Sequence, residues 1–120
     1  MLRQLAFAAV TALLLAAAAA QSAQNGDFVA GVEDLPLMPG LSQVEAASTV
    51  FDAPTGRIVE AFAAGPVTRE QVLAFYAETL PQLGWTAERP GRFRREGEEL
   101  RLEFLGGEDE LTVRFTLAPD

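Results

Sequence analysis

The sequence predicts an α+β domain in two layers, with about five antiparallel strands and one helix packed on one face, in the order β-β-α-β-β-β. Three observations carry this expectation. Apolar side chains recur at three- and four-residue spacing between Thr68 and Trp85. Two later segments, around Leu100–Phe104 and Leu111–Leu117, instead alternate apolar with polar residues. Short turn signals rich in Gly, Pro and acidic residues separate the runs.

The helix has both of its ends written out. Thr68 is the expected N-cap, Gln71 completes a capping box, and Val67 and Val72 occupy the staple positions. Val72, Phe75, Tyr76, Thr79, Leu80 and Leu83 then mark one face, while Arg69, Glu70, Ala74, Ala77 and Glu78 lie largely elsewhere. Pro81 has no N–H to donate and should end or kink the regular helix. Gly84 suits a left-handed cap, with Trp85 folding back on Leu80.

Two strands are expected before the helix, Ser48–Asp52 and Arg57–Ala63, joined by the turn Ala53-Pro54-Thr55-Gly56. After it, Arg92–Arg95 turns at Glu96-Gly97 into Leu100–Phe104, and Gly106–Glu110 turns into Leu111–Leu117. Charge sets the registers, because opposite charges stabilise a cross-strand pair and like charges destabilise it. Arg95 should face Glu98, Arg94 should face Glu99, Phe93 should face Leu100, and Glu103 should face Arg114. The expected interior is Val50, Ile58, Phe62, Val72, Phe75, Leu80, Trp85, Phe93, Leu102, Phe104, Val113 and Phe115.

The first fifth of the chain has a different character. Arg3 precedes an apolar run from Leu5 to Ala20, which exits through Ala18-Ala19-Ala20 into a polar stretch. That sequence of features predicts a secretory signal peptide over residues 1–20, cut after Ala20. The run is mostly Ala and shorter than the roughly 20 strongly apolar residues a spanning helix needs. Residues 21–34 then read as a flexible leader and 35–120 as the single domain. A chain without Lys and rich in Ala and Arg suggests a GC-rich bacterial genome, and hence a periplasmic, soluble product with no stable membrane insertion.

Composition removes most chemistry. The 120 residues contain no Cys and no His, and all 9 cationic side chains are Arg. No Ser-His-Asp triad, thiolate nucleophile, disulfide, His/Cys zinc site or Schiff-base lysine can be built. Without Arg3 the chain holds eight arginines against seventeen acids, a net charge of −9, which disfavours nucleic acid and anionic headgroups as partners. Acidic residues crowd two hairpin turns, Glu96/Glu98/Glu99 and Glu108/Asp109/Glu110. Convex, solvated turns do not raise a carboxyl pKa, so no catalytic acid–base pair, no metal and no cofactor is expected there.

Leu35-Pro36-Leu37-Met38-Pro39-Gly40-Leu41, then Val72-Leu73-Ala74-Phe75-Tyr76, then Leu83-Gly84-Trp85 ahead of two alternating strands, resembles a recurring class of small exported bacterial α+β domains. The shared pattern is a proline–glycine lead-in, a Phe-Tyr helix and a Gly-Trp exit. The resemblance covers about residues 35–118 and implies the fold and export, with no catalytic residues to transfer. This chain departs from the class in having Met38 where an aromatic is usual, and in lacking a lipid-carrying Cys.

Two functional expectations follow. The first is a non-catalytic protein-interaction module of the cell envelope, meeting another envelope protein through Arg92, Arg94, Arg101 and Arg114 or through Leu37 and Met38. The second is a binder of a small apolar ligand held between helix and sheet, in a pocket lined by Phe62, Tyr76 and Phe104.

Overall fold

A computed structural model describes residues 27–107 and 109–120. The expected signal peptide and residues 21–26 of the expected leader lie outside the described residues. The elements run β1 (Ser42–Gln43), a 3₁₀ turn (Glu45–Ala47), β2 (Thr49–Ala53), β3 (Gly56–Gly65), α1 (Arg69–Thr79), a 3₁₀ turn (Leu80–Leu83), β4 (Thr86–Arg89), β5 (Arg92–Arg95), β6 (Glu98–Gly106) and β7 (Leu111–Pro119). All strand pairs are antiparallel, in the order β1-β3-β7-β6-β5-β4, and β2 shares the β1 side of β3.

Among the described residues the class is therefore α+β with one helix, but the sheet has seven strands rather than five, in the order β-β-β-α-β-β-β-β. The extra strands are β1 and β4, of 2 and 4 residues. Neither is long enough to display a period, and β4 exists because Pro90-Gly91 turns it back onto β5, with Gly91 at φ 80°.

The helix follows its sequence signals closely. Gln71 N–H donates to Thr68 Oγ1 at 3.1 Å, and Thr68 N–H donates to Gln71 Oε1 at 2.9 Å, which closes the capping box. Pro81 sits in the 3₁₀ turn, Gly84 adopts φ 92°, and Trp85 N–H returns to the Leu80 carbonyl at 3.1 Å. The charge-derived registers also hold: Arg95 pairs with Glu98, Arg94 with Glu99, Phe93 with Leu100, and Glu103 with Arg114.

One face of the sheet carries the core. Val59, Ala61 and Ala63 of β3, Val113, Phe115 and Leu117 of β7, Leu100 and Leu102 of β6, and Phe93 of β5 are all buried there. The helix covers the β5–β7 side, where Tyr76 meets Phe115 edge-on at 5.6 Å between centroids and Arg69 stacks over Phe104. It is too short to cover β3 as well. That side is closed by an N-terminal strap, residues 27–41, in which Val29, Val32, Leu35, Leu37 and Leu41 are buried. The strap folds on itself through Val29 N–H to Leu35 O at 2.8 Å and Leu37 N–H to Asp27 O at 2.9 Å. The packed domain thus includes residues 27–34, which the sequence reading assigns to a flexible leader. Val29 and Val32 lack any period and are flanked by Gly and acids, so their burial leaves no pattern to read.

The expected interior needs a second correction. Val72, Leu80, Trp85, Phe93, Leu102, Val113 and Phe115 are buried as expected, but Ile58 and Phe62 face the opposite, open side of β3. Phe62 lies opposite Arg114, whereas its neighbours Ala61 and Ala63 lie opposite the buried Phe115 and Val113. Close approach overrides side-chain size here. The strap packs its backbone onto β3, so a Cβ added at Gly65 would overlap the carbonyl oxygen of Gly40. Val50 is also 56% exposed, because the strap reaches it only at Gly31.

Strap and helix are joined by one side chain. The fully buried Tyr76 donates its hydroxyl to Pro36 O at 2.7 Å and accepts from Met38 N–H at 3.1 Å. Tyr76→Phe keeps the ring but strands both backbone groups, and should cost about 1–3 kcal/mol in urea unfolding. Gly65→Ala forces the strap off β3 and should cost at least as much, about 1–3 kcal/mol or more, in the same measurement.

Candidate functional site

Four of the expected surface residues do share a surface. Arg92, Arg94, Arg101 and Arg114 all project from the open face of the sheet, at cross-strand positions shared with Glu99, Glu103 and Thr116. They are not free to grip a partner. Arg114 donates through Nε and Nη2 to Glu103 Oε1 at 3.0 and 2.7 Å. Arg94 reaches Glu88 at 3.1 Å and Asp120 at 2.9 Å, and Arg92 and Arg101, opposite one another, both lean on Glu99 at 3.9 and 3.5 Å. The hydrogen bonds that Arg114 donates to the Glu103 carboxylate raise the pKa of Arg114 above its usual value. The open face is a neutralised ion ladder.

Leu37 and Met38 do not extend that surface. Leu37 is buried, and Met38 is partly buried and packed against the core beside Tyr76. The expected pocket also fails as a unit. Phe62 faces the open side, Tyr76 is fully buried and hydrogen-bonded, and Phe104 is partly buried beneath Arg69. The three residues line no common space.

A concave, apolar site lies elsewhere. A groove of about 570 Å³ runs between α1 and the β4–β5 hairpin, lined by Leu73, Ala74, Ala77, Ala87, Pro90 and Phe93. Glu70, Glu88 and Arg89 stand at its rim. Its origin is the row of alanines: Ala74 and Ala77 on the helix flank face Ala87 on β4, and three methyl groups cannot span the gap between the layers. The reading from sequence missed it by following aromatic residues, although Ala74 and Ala77 recur on the helix flank beside the apolar face.

The groove's lining is chiefly apolar, and Glu70, Glu88 and Arg89 are its charged members. Among the described residues, no group of three or more acids is placed to share a cation. No described helix is long and apolar enough to cross a membrane. No protein-family model, curated protein or solved structure matches the chain.

One ion pair links the strap to the far end of the sheet. Arg95 donates to both carboxylate oxygens of Asp34, at 2.7 and 3.2 Å, and to Leu83 O at 2.8 Å, while its guanidinium lies 4.3 Å from the Trp85 ring centroid. The hydrogen bond from Arg95 holds the Asp34 carboxyl below its ordinary 3.8. A carboxyl depressed in the folded state adds stability above its unfolded pKa and loses that contribution as pH falls through the folded one. The stability advantage of wild type over Asp34→Asn should therefore be full near about pH 6 and shrink towards about pH 2.5 in pH-dependent urea unfolding.

Proposed function

We propose that this chain is a non-catalytic binding module of the bacterial cell envelope that takes an apolar group, presented by another envelope protein, into the groove between α1 and the β4–β5 hairpin. The groove itself carries the reading. It is concave and apolar, it is charged only at the rim, and it lies open along the margin of the sheet, where a segment of a second protein can reach it. The paired arginines of the open face and the buried side chains of the strap leave neither as good a contact surface. Export is supported by the basic start, apolar run and small-residue exit of residues 1–20. The absence of His, Cys and Lys supports a module without catalysis.

A second reading, a free small apolar molecule in the same groove, is favoured by its volume. About 570 Å³ falls within the roughly 300–1,000 Å³ usual for small-molecule sites.

Site-specific photo-crosslinking in the producing cell separates the two. A photoreactive residue replacing Ala77 should give a discrete adduct of protein mass, and one replacing Thr112 on the open face should give none. An adduct of small-molecule mass at position 77 selects the second reading. Absence of any adduct there overturns both. Ala77→Trp, which fills the groove from the helix side, should abolish saturable binding of an apolar fluorescent probe while leaving the unfolding midpoint near wild type.

A further inference from the structure

The two outer edges of the sheet are built differently. At one edge, β4 has only 4 residues, carries a register shift between Ala87 and Arg89, contains Glu88 and Arg89, and runs into Pro90. Short length, a bulge, charge and proline are the devices that stop an edge strand from pairing with another chain. At the other edge, β2 also runs into a proline, Pro54, but it has no bulge and carries a single charge. Its five residues pair with β3 in unbroken register, Thr49 to Asp52 are exposed, and Asp52 is its one charged side chain. Val50 is 56% and Phe51 51% exposed.

The backbone of β2 also dictates what fits it. Ala53 and Gly56 face each other across a two-residue turn, so they exchange both ladder bonds and direct those groups inward. Phe51 and Thr49, two and four residues back, do the same. Val50 and Asp52 therefore point their N–H and C=O outwards, where no hydrogen bond reaches them among the described residues.

We infer that β2 pairs with β2 of a second copy of this chain, antiparallel, with Phe51 on the two-fold axis. Only that register lets the outward groups of Val50 and Asp52 straddle the axis and close four hydrogen bonds, Val50 to Asp52 of the partner copy and the reverse. Phe51 then meets its own copy in the closely spaced, non-hydrogen-bonded position, where aromatic cross-strand pairs are most favourable. Charge agrees, because each Asp52 faces a Val50 rather than another acid. The two helices lie on the same side of a continuous fourteen-stranded sheet. The contact is smaller than the roughly 1,200 Å² of a stable interface, which makes the dimer reversible.

The experiment is sedimentation equilibrium of the purified protein, combined with cross-linking that exploits its lack of cysteine. Wild type should shift from monomer to dimer between about 10 µM and about 1 mM. Val50→Pro removes an outward N–H without touching the β2–β3 ladder, and should raise the dissociation constant at least about tenfold. The double variant Thr49→Cys/Ala53→Cys retains Phe51 and places each new thiol opposite the other in the partner copy. Its Cα separation of about 4.5 Å suits a disulfide, so oxidation should give a covalent dimer with 49–53 linkages by peptide mass spectrometry. A protein monomeric throughout the range, a dimer indifferent to Val50→Pro, or a double variant that never links 49 to 53 overturns the inference. So does pairing of β2 with a foreign strand in place of its own copy.

Discussion

The hydroxyl of Tyr76, held between the Pro36 carbonyl and the Met38 amide, is the constraint on which the cover of the sheet depends. Seven strands present one continuous apolar face, and a helix of 11 residues is too narrow to close it. The strap closes the remainder, but it has almost no regular structure and few ladder bonds of its own. It needs a fixed point on the helix. A tyrosine in the middle of the core supplies one, because a buried phenol with no partner is costly and here both of its bonds lie in the strap. Burial pushes the phenol well above its usual pKa, so it remains a neutral donor and acceptor across the physiological range. Asp34 and Arg95 provide a second, more exposed tie, immediately ahead of the segment that Tyr76 holds.

What the sequence made legible was whatever a periodic pattern or an opposed charge encodes. The capping box at Thr68 and Gln71, the left-handed Gly84 and the Glu103–Arg114 pair each rest on a local rule, and each is present. The strap has no such rule. Val29 and Val32 enter the core through turns rather than through a helix or strand, and turn-borne apolar residues look like linker residues. β3 was legible as a strand but not in its facing. Large Ile58 and Phe62 suggest the core, yet Glu60 lies between them on the same side, and the small residues alternate with them. Charge was the better guide than size, because the strap laid on β3 comes closest where the strand carries the small residues Ala61, Ala63 and Gly65.

Small residues also explain why the candidate site was invisible to a search for aromatic or charged clusters. At Ala61, Ala63 and Gly65 the room left by missing side chains is taken by the strap, whose Gly40 comes against Gly65. At Ala74, Ala77 and Ala87 the same economy of volume meets no covering segment, and a groove results. A run of alanine thus signals close packing or a cavity according to whether a third element arrives. That decision is made by the path of the strap, which crosses β3 and leaves the β4 side of the helix uncovered.

The two margins of the domain consequently divide their roles along the sheet. On the β4 side the strand edge is blunted while the layer above it is left open, so access favours side chains entering the groove over backbone joining the sheet. On the β2 side the arrangement is reversed: Val50 and Phe51 lie bare, and the outward amides and carbonyls of Val50 and Asp52 are unopposed. On the open face between these margins the arginines are already paired with Glu88, Glu99, Glu103 and Asp120, and solvent screening leaves exposed pairs of this kind little net strength. What the two edges offer a neighbour is therefore shape and unpaired backbone groups rather than unpaired charge.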